Sequence, residues 1–346
     1  MGSLLIVDFM YLYYKYIYSY NSGKMKRFYW GGNISHNCRE HTDEGISNWD
    51  VPCSKCSYAR QNYASQLKTS AYKVLEVCPH HVDTTMVYKP ISEIINTAKK
   101  MGPDTAVVVC FDSKSMKKDN EEFGEYKAKR KKTLTDRDYQ LIKYTEGLLD
   151  CAGVETLKFE GYEADDIIFS VVCQYLNKYS EIKIMTADND MLQLVCDKVS
   201  INLYKAGNKI PYTNVSMGNV TGMLSNMYNA EIPYGAYPLY KATVGDSSDN
   251  IKGITGFGNS GWGELLAFAH YKHNLIDELT FDKNSRAYKN KTAEVIKMLF
   301  KGEEQEQALL SLKQAAFIEL PIDLKGRIPT EESRMVFLQL GMKSLV

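Results

Sequence analysis

Three short apolar runs stand out along the chain: Leu4 to Val7, Thr105 to Phe111 and Ile182 to Thr186. Each is rich in β-branched residues and lacks helical period, so each reads as a buried strand. Helical periodicity lies between and after them, at about 60–76, 91–101, 136–151 and 164–178. Strands separated by helices predict a parallel sheet covered on both faces. Beyond residue 200 the pattern changes to short helices and Gly-rich turns, with no convincing strand series. The expected organisation is an α/β domain over 1–200 and a mostly helical region over 201–346. Two segments look like insertions: 21–58, rich in Gly, Asn, Cys and His, and 113–135, rich in Lys and Glu. There is no repeat and no low-complexity tract.

Each predicted strand ends in acid. The first runs into Asp8, the second into Asp112, and the third into Asp188 and Asp190. In an open parallel sheet the carboxyl ends of strands share one edge, where ligands bind, so these four acids should converge. Glu163-Ala-Asp165-Asp166 opens a helical pattern, and its i, i+3 spacing puts Glu163 and Asp166 on one face. Asp246 and Asp249 repeat that spacing. A single acid after a strand is often only a helix cap, or a complement to the helix dipole. Nine acids in five groups would repel one another and hold protons. Divalent cations resolve the conflict, and hard oxygen ligands suit Mg²⁺ or Mn²⁺.

Charge changes the picture next. The chain has 346 residues, with 42 Lys+Arg balancing 42 Asp+Glu. Zero net charge argues against a nucleic-acid partner only if the charges are mixed, and they are segregated. Tyr126-Lys-Ala-Lys-Arg-Lys-Lys132 holds five cations in seven residues. A charge run is usually a solvated face. This one follows the Asp112 strand end by about a dozen residues, so it can overhang the same edge. Cations beside a metal cluster suggest metal-assisted phosphodiester chemistry. Lys15, one or two turns past Asp8, is a further candidate phosphate contact. The tyrosines at 11, 13, 14, 16, 18 and 20 are candidates for base stacking, most of them better suited to core or groove lining.

Gly253-Ile-Thr-Gly256-Phe-Gly258-Asn-Ser-Gly261 contains a formal G-x-G-x-x-G, but no strand precedes it, as a dinucleotide site requires. A Gly-rich turn between short helices, presenting backbone N–H groups, can instead grip a phosphate.

The ordered motifs resemble the 5′ nuclease, or flap endonuclease, superfamily, especially the bacteriophage enzymes and the 5′→3′ exonuclease domains of bacterial DNA polymerases. The likeness rests on Gly161-Tyr-Glu-Ala-Asp-Asp-Ile-Ile168, Thr186-Ala-Asp-Asn-Asp-Met-Leu-Gln-Leu194 and Gly245-Asp-Ser-Ser-Asp-Asn-Ile-Lys-Gly253 leading into Gly256-Phe-Gly258, with Tyr126-Lys-Ala-Lys-Arg130 as an arch segment. It covers residues 4–262 and implies a PIN-like 5′ nuclease fold: α/β, a parallel-type central sheet flanked by helices, with a helical helix–hairpin–helix carboxy-terminal region near 245–266. It implies metal-dependent hydrolysis of DNA at free 5′ ends and flaps by two ions roughly 4 Å apart. Asp8, Asp112, Glu163, Asp165 and Asp166 would form the first metal site; Asp188, Asp190, Asp246 and Asp249 would form the second. Lys127 and Arg130 would act on the scissile phosphate, offsetting transition-state charge. Tyr126, Lys129, Lys15, Gly253, Gly256 and Gly258 would contact DNA, in some members with a bound K⁺ at the turn. The family usually follows its Gly-x-Gly with a Lys-containing segment; this chain has Asn259-Ser-Gly-Trp-Gly263, which removes one expected phosphate contact and leaves Trp262 without a role. The alternatives are a non-catalytic DNA-binding replisome adaptor and an RNA-directed nuclease.

Eight cysteines in a chain this long do not make a disulfide scaffold. They fit a reduced, cytoplasmic setting, of a bacterium or a phage-infected host. Cys38-x2-His41 and Cys53-x2-Cys56 resemble the two halves of a structural Zn²⁺ site; loose thiols in a polar insertion are the alternative. Cys110, Cys151, Cys173 and Cys196 sit in apolar patterns and are expected in the core. No run approaches the ~20 apolar residues of a membrane span, and the first residues match neither a secretory signal nor a myristoylation site. Only about 85 residues follow the Gly-rich turn, so no polymerase domain is expected behind it. A monomer serving alongside replication proteins is the expected assembly.

Overall fold

The computed structural model describes residues 2–21, 29–30, 76–78, 81–83, 85–113, 134–207, 211–271, 285–335, 337 and 345. The chain divides into two compact units. One comprises Met1–Asp8, Cys110–Lys131 and Leu157–Leu324; the other comprises Phe9–Val109, Lys132–Thr156 and Lys325–Val346.

The described elements begin with β1 (Ser3–Asp8), α1 (Phe9–Asn21), β2 (Tyr29–Trp30), β3 (Glu76–Cys78), β4 (His81–Asp83), α2 (Thr85–Met101) and β5 (Thr105–Cys110). They continue with α3 (Asp136–Cys151), β6 (Glu155–Leu157), α4 (Ala164–Tyr175), β7 (Glu181–Thr186), β8 (Val199–Tyr204) and β9 (Tyr212–Val215). The rest is helical: α5 (Val220–Tyr228), α6 (Tyr237–Val244), α7 (Asn259–Tyr271), α8 (Ser285–Leu299), α9 (Gly302–Ala315) and α10 (Glu331–Arg334). Strands β2, β4 and β3 form a small separate sheet.

The main sheet has six strands in the order β6-β5-β1-β7-β8-β9. β7 is parallel to both β1 and β8, while β9 runs antiparallel at the edge. The three apolar runs are β1, β5 and β7. The sheet continues past residue 200, contrary to the expectation of no strand there. Along β8 buried and half-buried positions alternate, so polar residues at every second place hid the strand. That is the mark of a strand with only one covered face. The expected helices at 91–101, 136–151 and 164–178 are α2, α3 and α4; the helical pattern at 60–76 lies outside the described residues except for Glu76, which opens strand β3 instead. Helix α2 starts six residues early, with Pro90 in its interior.

In the first unit, Leu4 to Val7 on β1, Ile182, Ile184 and Met185 on β7, and Ile201 and Leu203 on β8 have no exposed surface. Helix α4 packs on β1 with Ile167, Ile168, Val171 and Val172 buried. An extended segment, 318–324, is held along α4 by side chains one turn apart. Asp166 Oδ1 accepts from the Ile318 N–H at 2.7 Å, Ser170 Oγ from Leu320 N–H at 2.8 Å, and Gln174 Oε1 from Ile322 N–H at 3.0 Å. In the second unit, Thr135 and Asp138 cap α3 reciprocally, and the buried Tyr13 hydroxyl donates to Asp138 Oδ1 at 2.8 Å. Among the four cysteines, Cys110 is buried, Cys173 and Cys196 are half-buried, and Cys151 is exposed. Cys151 was expected in the core; it is the last residue of α3, where the apolar face runs out. No described helix is long and apolar enough to cross a membrane.

Candidate active site

The acids at the carboxyl edge of β1, β5 and β7, on α4 and in the Asp246 turn all belong to the first unit, and they fall into two neighbouring groups. Asp8 ends β1 and is 8% exposed, with Asp112 two residues past the end of β5. Asp112 Oδ1 accepts from the Ala164 N–H at 2.7 Å, so it sits on the amino terminus of α4. That position suits an anion, since the helix dipole and free N–H groups point at it. Cys110 marks the convergence: burial first, then the charges of Asp8, Asp165 and Asp112, push its thiol well up. Three carboxylates therefore surround the end of β5.

Asp166 is also held by backbone hydrogen bonds. Its Oδ2 accepts from the Glu163 N–H at 3.4 Å and its Oδ1 holds the 318–324 segment, with 2% of the residue exposed. Asp166 thus takes part in capping this helix, and Glu163 is its cap residue.

Thr186 links the two groups. Its Oγ1 donates to Asp8 Oδ2 at 2.9 Å and accepts from the Asp188 N–H at 3.0 Å. Asp188 in turn caps the 3₁₀ turn Asn189–Leu194 through the Asp190 N–H, at 2.8 Å. Burial, then the charge of Asp190, pushes the Asp188 carboxyl up to about 6, against the pull of the Asp190 N–H and Lys241; Asp249 adds to the rise.

The second group is organised by a residue that sequence reasoning missed. Lys241, on α6, is 2% exposed and reaches Asp190 at 2.6 and 2.7 Å and Asp246 Oδ2 at 2.7 Å. Burial opposes its charge, but the two carboxylates outweigh burial and raise its pKa. Burial also pushes Asp246 up, and Lys241 with the Ser248 hydroxyl and N–H overcomes it, holding that carboxyl below the usual range. A lone lysine in the apolar run Tyr237 to Val244, five residues before Asp246, was the available signal. Asp249 is 5% exposed on the same turn, whose ends pair through Asp246 and Ile251.

The Gly-rich turn joins α6 to α7. A Cβ on Gly253 would lie 2.6 Å from Gly245 N and Thr243 O, and its φ is +67°, so this glycine serves close backbone approach. Gly256 and Gly258 are exposed with no heavy atom within 4 Å of a Cβ, which leaves their backbone open to a ligand. Trp262 now has a role: its Nε1 donates to Glu231 O at 2.7 Å and its ring meets Tyr240 edge-on, anchoring α7. Lys15, in the second unit, pairs with Glu93 at 2.5 Å. Of its tyrosine neighbours, Tyr11 and Tyr13 are core and Tyr18 is 64% exposed. Tyr126, Lys127, Lys129, Arg130, Cys38, His41, Cys53 and Cys56 lie outside the described residues.

Among the described residues, no three His, Cys, Asp or Glu side chains close to metal-ligand geometry. The donor chemistry nevertheless fits hard divalent ions. It is all carboxylate and draws on three strand ends, the start of α4 and the Asp246 turn, and the charge of Asp190 adds to burial in raising the Asp188 carboxyl.

Residues 56–221 match the family model of the 5′-3′ exonuclease N-terminal resolvase-like domain. A 5′-3′ exonuclease of Bacillus subtilis is 31% identical over 214 residues, covering 61% of this chain and 68% of that protein. The chain belongs to the 5′-3′ exonuclease family. DNA polymerase I of Caldicellulosiruptor bescii is 29% identical over 280 residues, covering 77% of this chain and 30% of the polymerase, so the chain spans under a third of that relative's length. The solved structure of the T5 D15 protein, co-crystallised with metal ions, matches with a TM-score of 0.50 at 14% identity over 99% of this chain and 96% of that one. That likeness is one of fold: a six-stranded α/β sheet, mostly parallel, flanked by helices.

Proposed function

We propose that the chain is a metal-dependent 5′ nuclease that hydrolyses DNA phosphodiesters at free 5′ ends and 5′ flaps, in replication or repair. The observation that carries it is the gathering of carboxylates around Cys110 and around Lys241 at one sheet edge, in a chain of this family. Asp8, Asp112, Glu163, Asp165 and Asp166 would hold one Mg²⁺ or Mn²⁺, with Asp166 also accepting the Ile318 N–H. Asp188, Asp190, Asp246 and Asp249 would hold the second. Such ions, when bound, activate water and neutralise charge on the phosphodiester.

The chain's own residues prepare that chemistry. Thr186 fixes Asp8 by a hydrogen bond to one oxygen, and the Ala164 N–H fixes Asp112. Lys241 holds Asp190 and Asp246 close together before any ion arrives. Lys127 and Arg130 supply cations to the scissile phosphate, with Tyr126 and Lys129 as neighbouring DNA contacts. Lys15, which pairs with Glu93, would be a further DNA contact. The open backbone at Gly256 and Gly258 would hold a duplex phosphate with K⁺, over the close turn at Gly253. Cys38, His41, Cys53 and Cys56 would hold a structural Zn²⁺ on their paired spacing.

The test is digestion of matched DNA and RNA 5′-flap substrates with Mg²⁺ or Mn²⁺. Release of the 5′ strand from the DNA flap supports the proposal, and preference for RNA moves it to an RNA-directed nuclease. Binding without cleavage in every metal would make the chain an adaptor and end the proposal. Zinc is decided by metal content before and after Cys53→Ser.

A further inference from the structure

Two lysines adjoin the acidic edge, and they are placed in opposite ways. Lys241 is sealed beneath it and saturated by Asp190 and Asp246. Lys205 stands beside it and remains partly exposed. β7 and β8 are parallel with Thr186 opposite Leu203; Asp188 and Lys205 each lie two residues further on, at the same level of neighbouring chains. The backbone of Lys205 is pinned to the hairpin by its N–H to Pro211 O at 2.8 Å. Its ammonium donates to Asn189 Oδ1 at 2.5 Å, the amide next to Asp188. A neutral amide orients the ammonium without cancelling its charge; burial lowers the pKa of this lysine while the charge of Asp188, too far for the close pairing that Lys241 makes, raises it.

We infer that Lys205 is a DNA-positioning residue that holds a backbone phosphate of the strand lying beside the acidic edge. A carboxylate cluster repels a polyanion, so a strand reaching it needs a cation that those carboxylates have not consumed. Lys205 is oriented, accessible and adjacent. Lysine is suited to this as a point charge with three rotatable donors, since Asn189 occupies one and leaves two for phosphate oxygens. The inference rests on the nuclease proposal and adds a contact just past β8 that the motifs do not include.

The experiment measures affinity for a 5′-flap DNA in Ca²⁺, over a series of KCl concentrations, for wild type, Lys205→Ala and Lys205→Arg. One lost phosphate contact lowers the slope of log affinity against log salt by about 0.9 on duplex and about 0.7 on single strand. Lys205→Ala should show that drop, with affinity at low salt reduced roughly tenfold, as for one charge-assisted hydrogen bond. Lys205→Arg should keep the wild-type slope. An unchanged slope for Lys205→Ala, or an equal loss at every salt concentration, overturns the inference while leaving the nuclease proposal standing. Wild-type protein that binds no flap DNA overturns both.

Discussion

Lys241 Nζ donates to both oxygens of Asp190, at 2.6 and 2.7 Å, from a side chain with 2% exposure. The same ammonium reaches Asp246 Oδ2, so one buried cation holds two carboxylates from distant parts of the sequence. Removing one partner of a buried pair leaves an uncompensated charge, which costs about 3–5 kcal/mol. Lys241→Met should therefore lose about that much stability by chemical denaturation in EDTA. Adding Mg²⁺ should recover part of the loss, because the released carboxylates gain a cation. A variant as stable as wild type in EDTA would remove Lys241 from its organising role.

Asp188 gives the site a pH signature. Its folded carboxyl titrates at about 6, against an ordinary value of 3.8. A raised carboxyl pKa means that the folded state prefers the protonated form. The metal-free protein should thus lose stability as pH rises from about 4 to about 6, by at most about 3 kcal/mol. Asp188→Asn should flatten that window in a denaturation series run in EDTA. A wild-type curve that rises throughout the window, with the variant curve parallel to it, would contradict the assignment.

Neighbouring Asp165 and Asp166 should fail differently. Asp166 serves the Glu163 and Ile318 N–H groups, so Asp166→Asn should cost about 1–3 kcal/mol, the range for spoiling buried hydrogen bonds. Asp165 instead adds its charge to those of Asp8 and Asp112 around Cys110. Asp165→Asn should leave stability in EDTA unchanged or raised while weakening Mg²⁺ binding by calorimetry. Reversed outcomes would exchange their roles.

The Gly-rich turn separates scaffold from contact. Gly253→Ala puts a methyl within 2.6 Å of backbone at a φ of +67°, and conformational strain alone is on the order of 1–3 kcal/mol. It should lower the melting temperature. Gly258→Ala meets no heavy atom within 4 Å, so it should fold normally yet bind duplex DNA more weakly. Equal melting temperatures for the two variants would refute the distinction.

Strand-end acids were readable because one rule governs them: parallel strands bring their carboxyl ends to a common edge. Asp8, Asp112 and Asp188 could be placed from three apolar runs alone. Lys241 was missed because a single lysine on a short helix ordinarily faces solvent, and only tertiary packing puts two carboxylates around it. β8 and β9 were missed because their polar alternation is weak beside the continuous apolar runs. The 318–324 segment has no periodicity of its own, and its conformation comes from Asp166, Ser170 and Gln174 on the helix it follows.

The most direct measurement is single-turnover cleavage of a 5′-labelled flap DNA by wild type and Asp246→Asn, with Mg²⁺ and with EDTA. Wild type should release the labelled 5′ strand in Mg²⁺ alone, and Asp246→Asn should lose at least about a hundredfold in rate, the size found when one charge-stabilising group is removed from an active site, with flap binding retained. Cleavage by wild type in EDTA, or full activity of Asp246→Asn, would contradict the nuclease proposal.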